Sequence, residues 1–428
     1  MTSSARSICF ALAVLLAACT SAPTPTAIAS STPTFTPTLI ASPTASPITT
    51  PAGTQTASPS ATATPAATPA ATPTITPAGT LATQLDARLR QVLDQQRTTL
   101  NIPGISAAIT FPDGSTWTAA LGMAEVVPAR VATTSTPFVV GSISKTFVAA
   151  AILQLVDEGA LALDDPLSDW LPDYPNAGQI TLRMLLSHTS GVFNLYESPN
   201  YNRLVVNRVH RTWTPQDVLA KLAGTPYCAP GACYHYSNTG FILLGLVIEA
   251  ETGKPLGQVY RERFYTPLGL ASTYFQGDGP PPSTSARGYR KTKTGNVAID
   301  DGSNYRPTQS EGTVIWSAGG IVASARNIAT WARALYGGDV LSAQSLARMT
   351  AFTFHPEPQG GWYGLGTRMR SFQGINMEGH TGTLRAFNAA MWYLPSLDLT
   401  VVVMTNRTGI DANAITDALL AVAVPAIP

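Results

Sequence analysis

Leu81, Leu85, Leu89 and Val92 recur at helical spacing in LATQLDARLRQVLDQQ and predict an amphipathic helix. After Asn101-Ile102-Pro103-Gly104 the pattern changes to two short apolar runs, ISAAITF and TWTAALGMAEV, separated by Pro112-Asp113-Gly114, which predicts two strands joined by a turn. The middle third returns to helical spacing in SKTFVAAAILQLVDE, ITLRMLLSH, TPQDVLAKLA, TGFILLGLVIEAETG and ARNIATWARALYGG. The C-terminal part gives WYGLGTRMR, LRAFNAAMWYLP and LDLTVVVMTN as strand-like runs and ITDALLAVAV as a closing helix. Neither the early nor the late strands make a sheet of ordinary size alone. The pattern therefore predicts an α+β fold: one antiparallel sheet built from both chain ends, covered by helices, with an inserted all-α subdomain in between.

Residues 20 to 80 follow neither period. Of these 61 residues, 52 are Ser, Thr, Pro or Ala, and none is charged. Such a segment favours extended, polyproline-like chain and offers little that could build a core, so it is expected to be a disordered stalk, leaving 81 to 428 as the folded domain. Upstream, Arg6 precedes ICFALAVLLAA, a run too short to span a membrane comfortably and laid out as an export signal. It ends in Leu16-Ala17-Ala18-Cys19, which resembles the bacterial lipoprotein signal. That resemblance implies that residues 1 to 19 direct export and that a lipid on Cys19 anchors the stalk to a bacterial membrane, outside the cytoplasm.

Lys plus Arg number 26 against 25 for Asp plus Glu, and a formal charge of +1 gives no basis for binding nucleic acid. Cys228 and Cys233 flank Ala-Pro-Gly-Ala, in which Pro230 and Gly231 suit the centre of a tight turn. In an exported protein this predicts a local disulfide. The five histidines contain no His-x-His or His-x-x-x-His pair, so no metal is expected, nor any other cofactor. His210, His235 and His355 show no ligand spacing, and His188, in LSHTSG, is expected to pack at a helix end.

Ser142-Ile143-Ser144-Lys145 is the one place where a serine precedes a lysine by three positions. It follows the strand-like Phe138-Val139-Val140 and opens an apolar helix, so Ser142 and Lys145 would share one face, one turn apart. Burial would keep the amine neutral and able to take the serine proton. Unpaired N–H groups at the helix start, that of Ser142 included, would stabilise an oxyanion. Tyr236-Ser237-Asn238 precedes a second apolar helix; the phenol could carry a proton to a leaving group, and Asn238 could contact substrate or hold the lysine. In His380-Thr381-Gly382-Thr383, the glycine permits close approach to the backbone. If this segment is an edge strand facing Ser142, a substrate could lie along it and the Thr383 N–H could supply a second oxyanion donor. No Gly-x-Ser-x-Gly occurs, which disfavours an α/β-hydrolase.

In this order, Ser-x-x-Lys, Tyr-x-Asn and a Lys/His-Thr-Gly triplet resemble the penicillin-recognising serine hydrolases, in the branch of class C β-lactamases and serine DD-carboxypeptidases. The likeness runs from residue 85 to 425 and includes ITLRMLLSHTSGV, YSNTGFILLGLVIEAETG and WSAGGIVASARNIATWA. It implies Ser142 as acylated nucleophile and Lys145 and Tyr236 as proton carriers. It implies the Ser142 and Thr383 amides as oxyanion hole, with Asn238, His380, Thr381 and Gly382 as substrate contacts. His380 stands where class C β-lactamases usually carry lysine, which weakens a lactamase reading and asks for another cation. Arg368 and Arg370, on the preceding strand, are the candidates for binding a substrate carboxylate. The resemblance implies an acyl-enzyme hydrolase most like a DD-carboxypeptidase acting on cell-wall peptides. A β-lactamase, an esterase, and a β-lactam sensor that acylates without turnover are the alternatives.

Overall fold

The computed structural model describes residues 78–356 and 360–427. The expected export signal, Cys19, and the expected stalk up to residue 77 lie outside the described residues. The first helix, Ala78–Thr99, starts slightly before the expected domain boundary; helix ends are the least legible part of a periodic pattern.

Nine strands form one antiparallel sheet. Their spatial order is Arg130–Val131, Thr116–Glu125, Gly104–Thr110, Leu399–Thr405, Phe387–Leu394, Ile375–Leu384, Arg368–Phe372, Gly361–Tyr363 and Thr353–His355. The two chain ends join where Gly104–Thr110 pairs with Leu399–Thr405, in register from Ile105 opposite Thr405 to Thr110 opposite Thr400. Both of these strands, and Phe387–Leu394 beside them, are buried along their whole length.

Period-2 alternation divides their side chains between two apolar layers. Ile105, Ala107, Val401, Val403 and Trp392 pack with Leu89 and Leu93 of the first helix and with Ile415 and Leu419 of the closing helix, Ala412–Ala423. Ala108, Val402, Met404 and Met391 pack on the other side with Phe147, Phe241 and Trp331. Strands covered on both faces read as nearly continuous apolar runs, as LDLTVVVMTN does. The expected strand WYGLGTRMR is in fact two, Gly361–Tyr363 and Arg368–Phe372. The Gly364 N–H donates to the Thr367 carbonyl, and Gly366 takes φ +72°, folding the run into a hairpin.

The expected helices of the middle third form as Ser144–Asp157, Leu182–Leu186, Pro215–Lys221, Asn238–Thr252 and Ala325–Tyr336. Thr181, Thr214, Ser237 and Ser324 each accept a first-turn N–H and so cap the last four. The Ser144–Asp157 helix is buried on every side from Ser144 to Leu153, which puts Lys145 inside the molecule. A small sheet of Phe138–Val139, Ile321–Ala323 and Thr273–Phe275 leads into this helix.

Two glycines let the large sheet touch the start of that helix. The Ile375–Leu384 strand has the Arg368–Phe372 strand beside it only as far as Gly379, so from His380 onward this edge is free. The Gly141–Ile143 turn packs there, with Gly141 at φ +54°. A Cβ on Gly141 would lie 2.8 Å from the Thr383 nitrogen; one on Gly382 would collide with the Val140 carbonyl and stand 3.0 Å from the Ser142 nitrogen. Gly382→Ala is therefore expected to destabilise the fold by about 1–3 kcal/mol through overpacking. Gly178→Ala, where the nearest atom to the new methyl is 4.0 Å away, should change stability by no more than about 0.5 kcal/mol. Urea unfolding of the two variants checks this, and equal midpoints would show that the turn and the strand are not tightly packed.

Candidate active site

The α-helix begins at Ser144, where SKTFVAAAILQLVDE places it, and Ser142 lies just ahead of it on a 3-10 turn, Gly141–Ile143, rather than opening the helix itself. Lys145 is fully buried. Its Nζ stands 3.1 Å from Ser142 Oγ, 2.7 Å from Asn238 Oδ1 and 2.8 Å from the Ala318 carbonyl oxygen. Burial, followed by the positive charge of Arg368, holds the amine well below its ordinary pKa. A neutral amine has two hydrogens and one lone pair. Asn238 Oδ1 and the Ala318 oxygen can only accept, so they take the hydrogens, and the lone pair is left facing the Ser142 hydroxyl.

The orientation of the Asn238 amide is fixed from the Cys228–Cys233 loop. These cysteines are joined, with Cα atoms 6.1 Å apart. The flanking Tyr227 and His235 rings stack with centroids 3.3 Å apart, and the Tyr227 hydroxyl donates to Glu197 at 2.7 Å. Glu197 in turn accepts from Asn194 Nδ2 at 3.4 Å. Asn194 Oδ1 then accepts from the Asn238 backbone nitrogen at 3.2 Å and from Asn238 Nδ2 at 3.1 Å. Asn238 Oδ1 is left to face the lysine. Of the two roles weighed for Asn238, the geometry favours holding Lys145.

The Tyr236 ring centroid lies 5.0 Å from Lys145 Nζ, and its hydroxyl hydrogen-bonds Ser142. Burial raises the phenol pKa, and Arg368 and the Ser142 bond offset only part of that rise, so Tyr236 is a neutral phenol at neutral pH. Ser142, Tyr236, Asn238, Arg368, His380, Thr381 and Thr383 line one cleft of about 240 Å³. Gly382 is spent on the approach to the Ser142 turn. Larger cavities of about 530 and 790 Å³ lie elsewhere, against Trp170 and Trp117.

His380 corrects an expectation. It is buried, with Nε2 bonded to the Tyr363 hydroxyl at 3.2 Å and Nδ1 to the Thr381 carbonyl, so neither ring nitrogen is open to a substrate. Burial first, then the charge of Arg368, depress its pKa well below the usual value and keep it uncharged. Arg368 brings the positive charge instead. Its guanidinium lies 5.3 Å from the ring centroids of both Tyr236 and Tyr363. Nη1 donates to the Gly360 carbonyl at 3.3 Å, while the buried Nε has no partner. Arg370 is not part of the cleft: its Nη2 is 2.5 Å from Asp417 of the closing helix, and its guanidinium lies 5.5 Å from the Trp392 centroid. An ion pair to a packed helix therefore removes it from the candidates.

Sequence reasoning missed three participants. The Ala318 carbonyl is backbone and carries no residue signature. Asn194 and Tyr363 sit in runs that read as loop and strand. His188, expected as helix-end packing, has φ +59° and is bonded through both ring nitrogens, to the Ser237 nitrogen and the Tyr363 hydroxyl. Its place in LSHTSG was the one signal available. Among the described residues there is no cluster of three or more potential metal ligands.

The Beta-lactamase family model matches residues 89–424. Unguisins hydrolase ungD' of Aspergillus campestris is 28% identical over 348 residues, which are 76% of this chain and 62% of that protein. Penicillin-binding protein 4 of Amycolatopsis lactamdurans is 31% identical over 194 residues, 43% of this chain and 48% of that protein. This chain thus spans less than two thirds of the length of these curated relatives. The crystal structure of D-amino acid amidase from Ochrobactrum anthropi SV3, complexed with L-phenylalanine amide, matches with a TM-score of 0.71 at 25% identity, over 80% of this chain and 99% of that one. A family match across the whole sheet and its helical insertion, with a serine and a buried lysine meeting at the cleft, leads to one conclusion: the chain belongs to the beta-lactamase family of serine hydrolases.

Proposed function

We propose that this hydrolase is a DD-carboxypeptidase-type enzyme that removes a C-terminal D-residue from cell-wall peptides. The observation that carries this reading is Arg368. Around the serine, burial lowers the pKa of the Lys145 amine and of the His380 imidazole and raises that of the Tyr236 phenol, which favours the uncharged form of each and leaves Arg368 as the least buried cation of the cleft. A guanidinium with an unpartnered Nε suits the terminal carboxylate that such a peptide presents. Likeness to a penicillin-binding protein supports the reading.

In this mechanism the Ser142 hydroxyl gives its proton to the Lys145 lone pair as Oγ attacks the scissile carbonyl carbon. The backbone N–H groups of Ser142 and Thr383 stabilise the oxyanion. The proton travels through the Tyr236 hydroxyl to the departing amine, the C–N bond breaks, and an ester on Ser142 remains. Water attacks that ester as Lys145 takes one of its protons, and when the ester C–O bond breaks Lys145 returns that proton to Ser142 Oγ, which frees the serine and releases the shortened peptide.

Release of D-alanine from diacetyl-L-Lys-D-Ala-D-Ala by the full chain, compared with the same peptide as its C-terminal amide, tests the proposal. Ser142→Ala should be inactive on both. Arg368→Gln should lower kcat/KM on the free acid by about 10- to 100-fold more than on the amide, the size of one charged hydrogen bond. Preference for the amide would replace this reading with a D-amino-acid amidase, which the likeness to the Ochrobactrum enzyme favours. A fluorescent penicillin bound to Ser142 separates the remaining cases: rapid release marks a β-lactamase, and a lasting adduct without peptide turnover marks a sensor.

We further propose that Cys19 carries a lipid and that residues 20–77 hold the enzyme away from the membrane; Leu16-Ala17-Ala18-Cys19 and the Ser/Thr/Pro/Ala composition support this. Cys19→Ser should move the protein from the membrane fraction to the soluble fraction, and unchanged membrane partition would overturn the anchor.

A further inference from the structure

A hydrogen-bond chain of fixed direction connects the tyrosine motif to the histidine triplet. At one end the Ser237 backbone N–H, which can only donate, meets His188 Nδ1 at 3.1 Å. That nitrogen must therefore offer its lone pair. His188 is fully buried, and desolvation, with the Arg368 charge added, keeps it neutral, so its single proton is on Nε2. Nε2–H then donates to the Tyr363 hydroxyl oxygen at 3.1 Å.

At the other end the Thr381 carbonyl can only accept, so the His380 nitrogen facing it, Nδ1, carries the proton. With His380 neutral, its Nε2 accepts, and the Tyr363 O–H donates to it at 3.2 Å. The two ends are independent, yet they assign the one Tyr363 hydrogen in the same direction. The chain reads Ser237 N–H to His188 to Tyr363 to His380 to the Thr381 carbonyl.

Ser237 lies between Tyr236 and Asn238, and Thr381 is on the free strand edge that carries Thr383. The His188 ring also packs on Tyr236 with centroids 4.2 Å apart. We propose that His188 and Tyr363 are positioning residues for acylation of Ser142, holding Tyr236 and the triplet strand at a fixed separation through a one-way chain that presents His380 as the Nδ1–H tautomer and His188 as the Nε2–H tautomer. This inference rests on the roles given above to Ser142 and Tyr236, and is independent of the choice of substrate.

The test uses the full chain labelled with 15N-histidine, its five histidines assigned by single substitutions. Long-range 15N–1H spectra are expected to show opposite tautomers for His188 and His380. Tyr363→Phe keeps the ring and its packing but removes the shared hydroxyl. It should release His380 from its single tautomer and slow Ser142 labelling by a fluorophosphonate by about 10- to 100-fold, the effect of the two hydrogen bonds lost with that hydroxyl. A packing role alone would leave that rate unmoved. An Nε2–H His380 in the wild-type protein overturns the proposal, as does an unchanged labelling rate in Tyr363→Phe. Should that variant fail to fold, the wild-type tautomers still decide. Normal fluorophosphonate labelling without D-alanine release would count against the proposed substrate and leave the chain standing.

Discussion

The uncharged amine of Lys145 is surrounded by atoms drawn from three distant parts of the chain. Its neighbours are Ser142 on the turn before its own helix, Asn238 at the start of a second helix, and the Ala318 carbonyl beyond a third segment. An ammonium in that position would lose its hydration without a counter-ion, a cost of several kcal/mol that favours the neutral form. The neutral form in turn needs two acceptors that cannot donate back. Much of the surrounding architecture supplies them. The apolar helix provides the burial, and the disulfide loop, through Tyr227, Glu197 and Asn194, turns the Asn238 amide the right way round. The small sheet brings up Ala318: the Val140 N–H donates to the Ile321 carbonyl at 3.1 Å, and the Ile321 N–H donates to Ser144 Oγ at 3.1 Å.

How much of this could be read from the chain depended on the range of the interaction. Burial on both faces left its mark in ISAAITF and LDLTVVVMTN, so the sheet built from both ends was legible. So was the buried lysine, because a lysine next to the all-apolar run from Phe147 to Leu153 needs a reason. The Cys228–Cys233 link is local, and its turn residues announce it. Arg368 and Arg370 were not separable, since strand alternation puts residues two apart on the same face and Asp417, 47 positions away, claims Arg370. The hairpin inside WYGLGTRMR was hidden by residues that suit either a strand or a turn. His188 and Tyr363 meet across 175 positions, a pairing that no local pattern encodes.

The cleft itself follows from missing atoms. Gly141 and Gly382 let backbone rest on backbone, so the amides of Ser142 and Thr383 are brought together without an intervening side chain. The free edge from His380 onward stays unpaired because its neighbour strand begins only at Arg368, opposite Gly379. The nucleophile turn and a substrate can therefore share one edge.

The junction between first and last strands bears on how the molecule is made. Gly104 donates its N–H to Asn406 Oδ1 across 302 positions, and the central sheet cannot close until the Leu399–Thr405 strand exists. Contacts this distant in sequence fold slowly, because the intervening loop entropy is lost before they form. The fold therefore cannot be completed before the Leu399–Thr405 strand has been made, so a partly made chain holds Ser142 and Lys145 with no finished sheet behind them. The nucleophile and the lysine beside it are thus made about 250 residues ahead of the strand that joins the two parts of their sheet, an order set by topology alone.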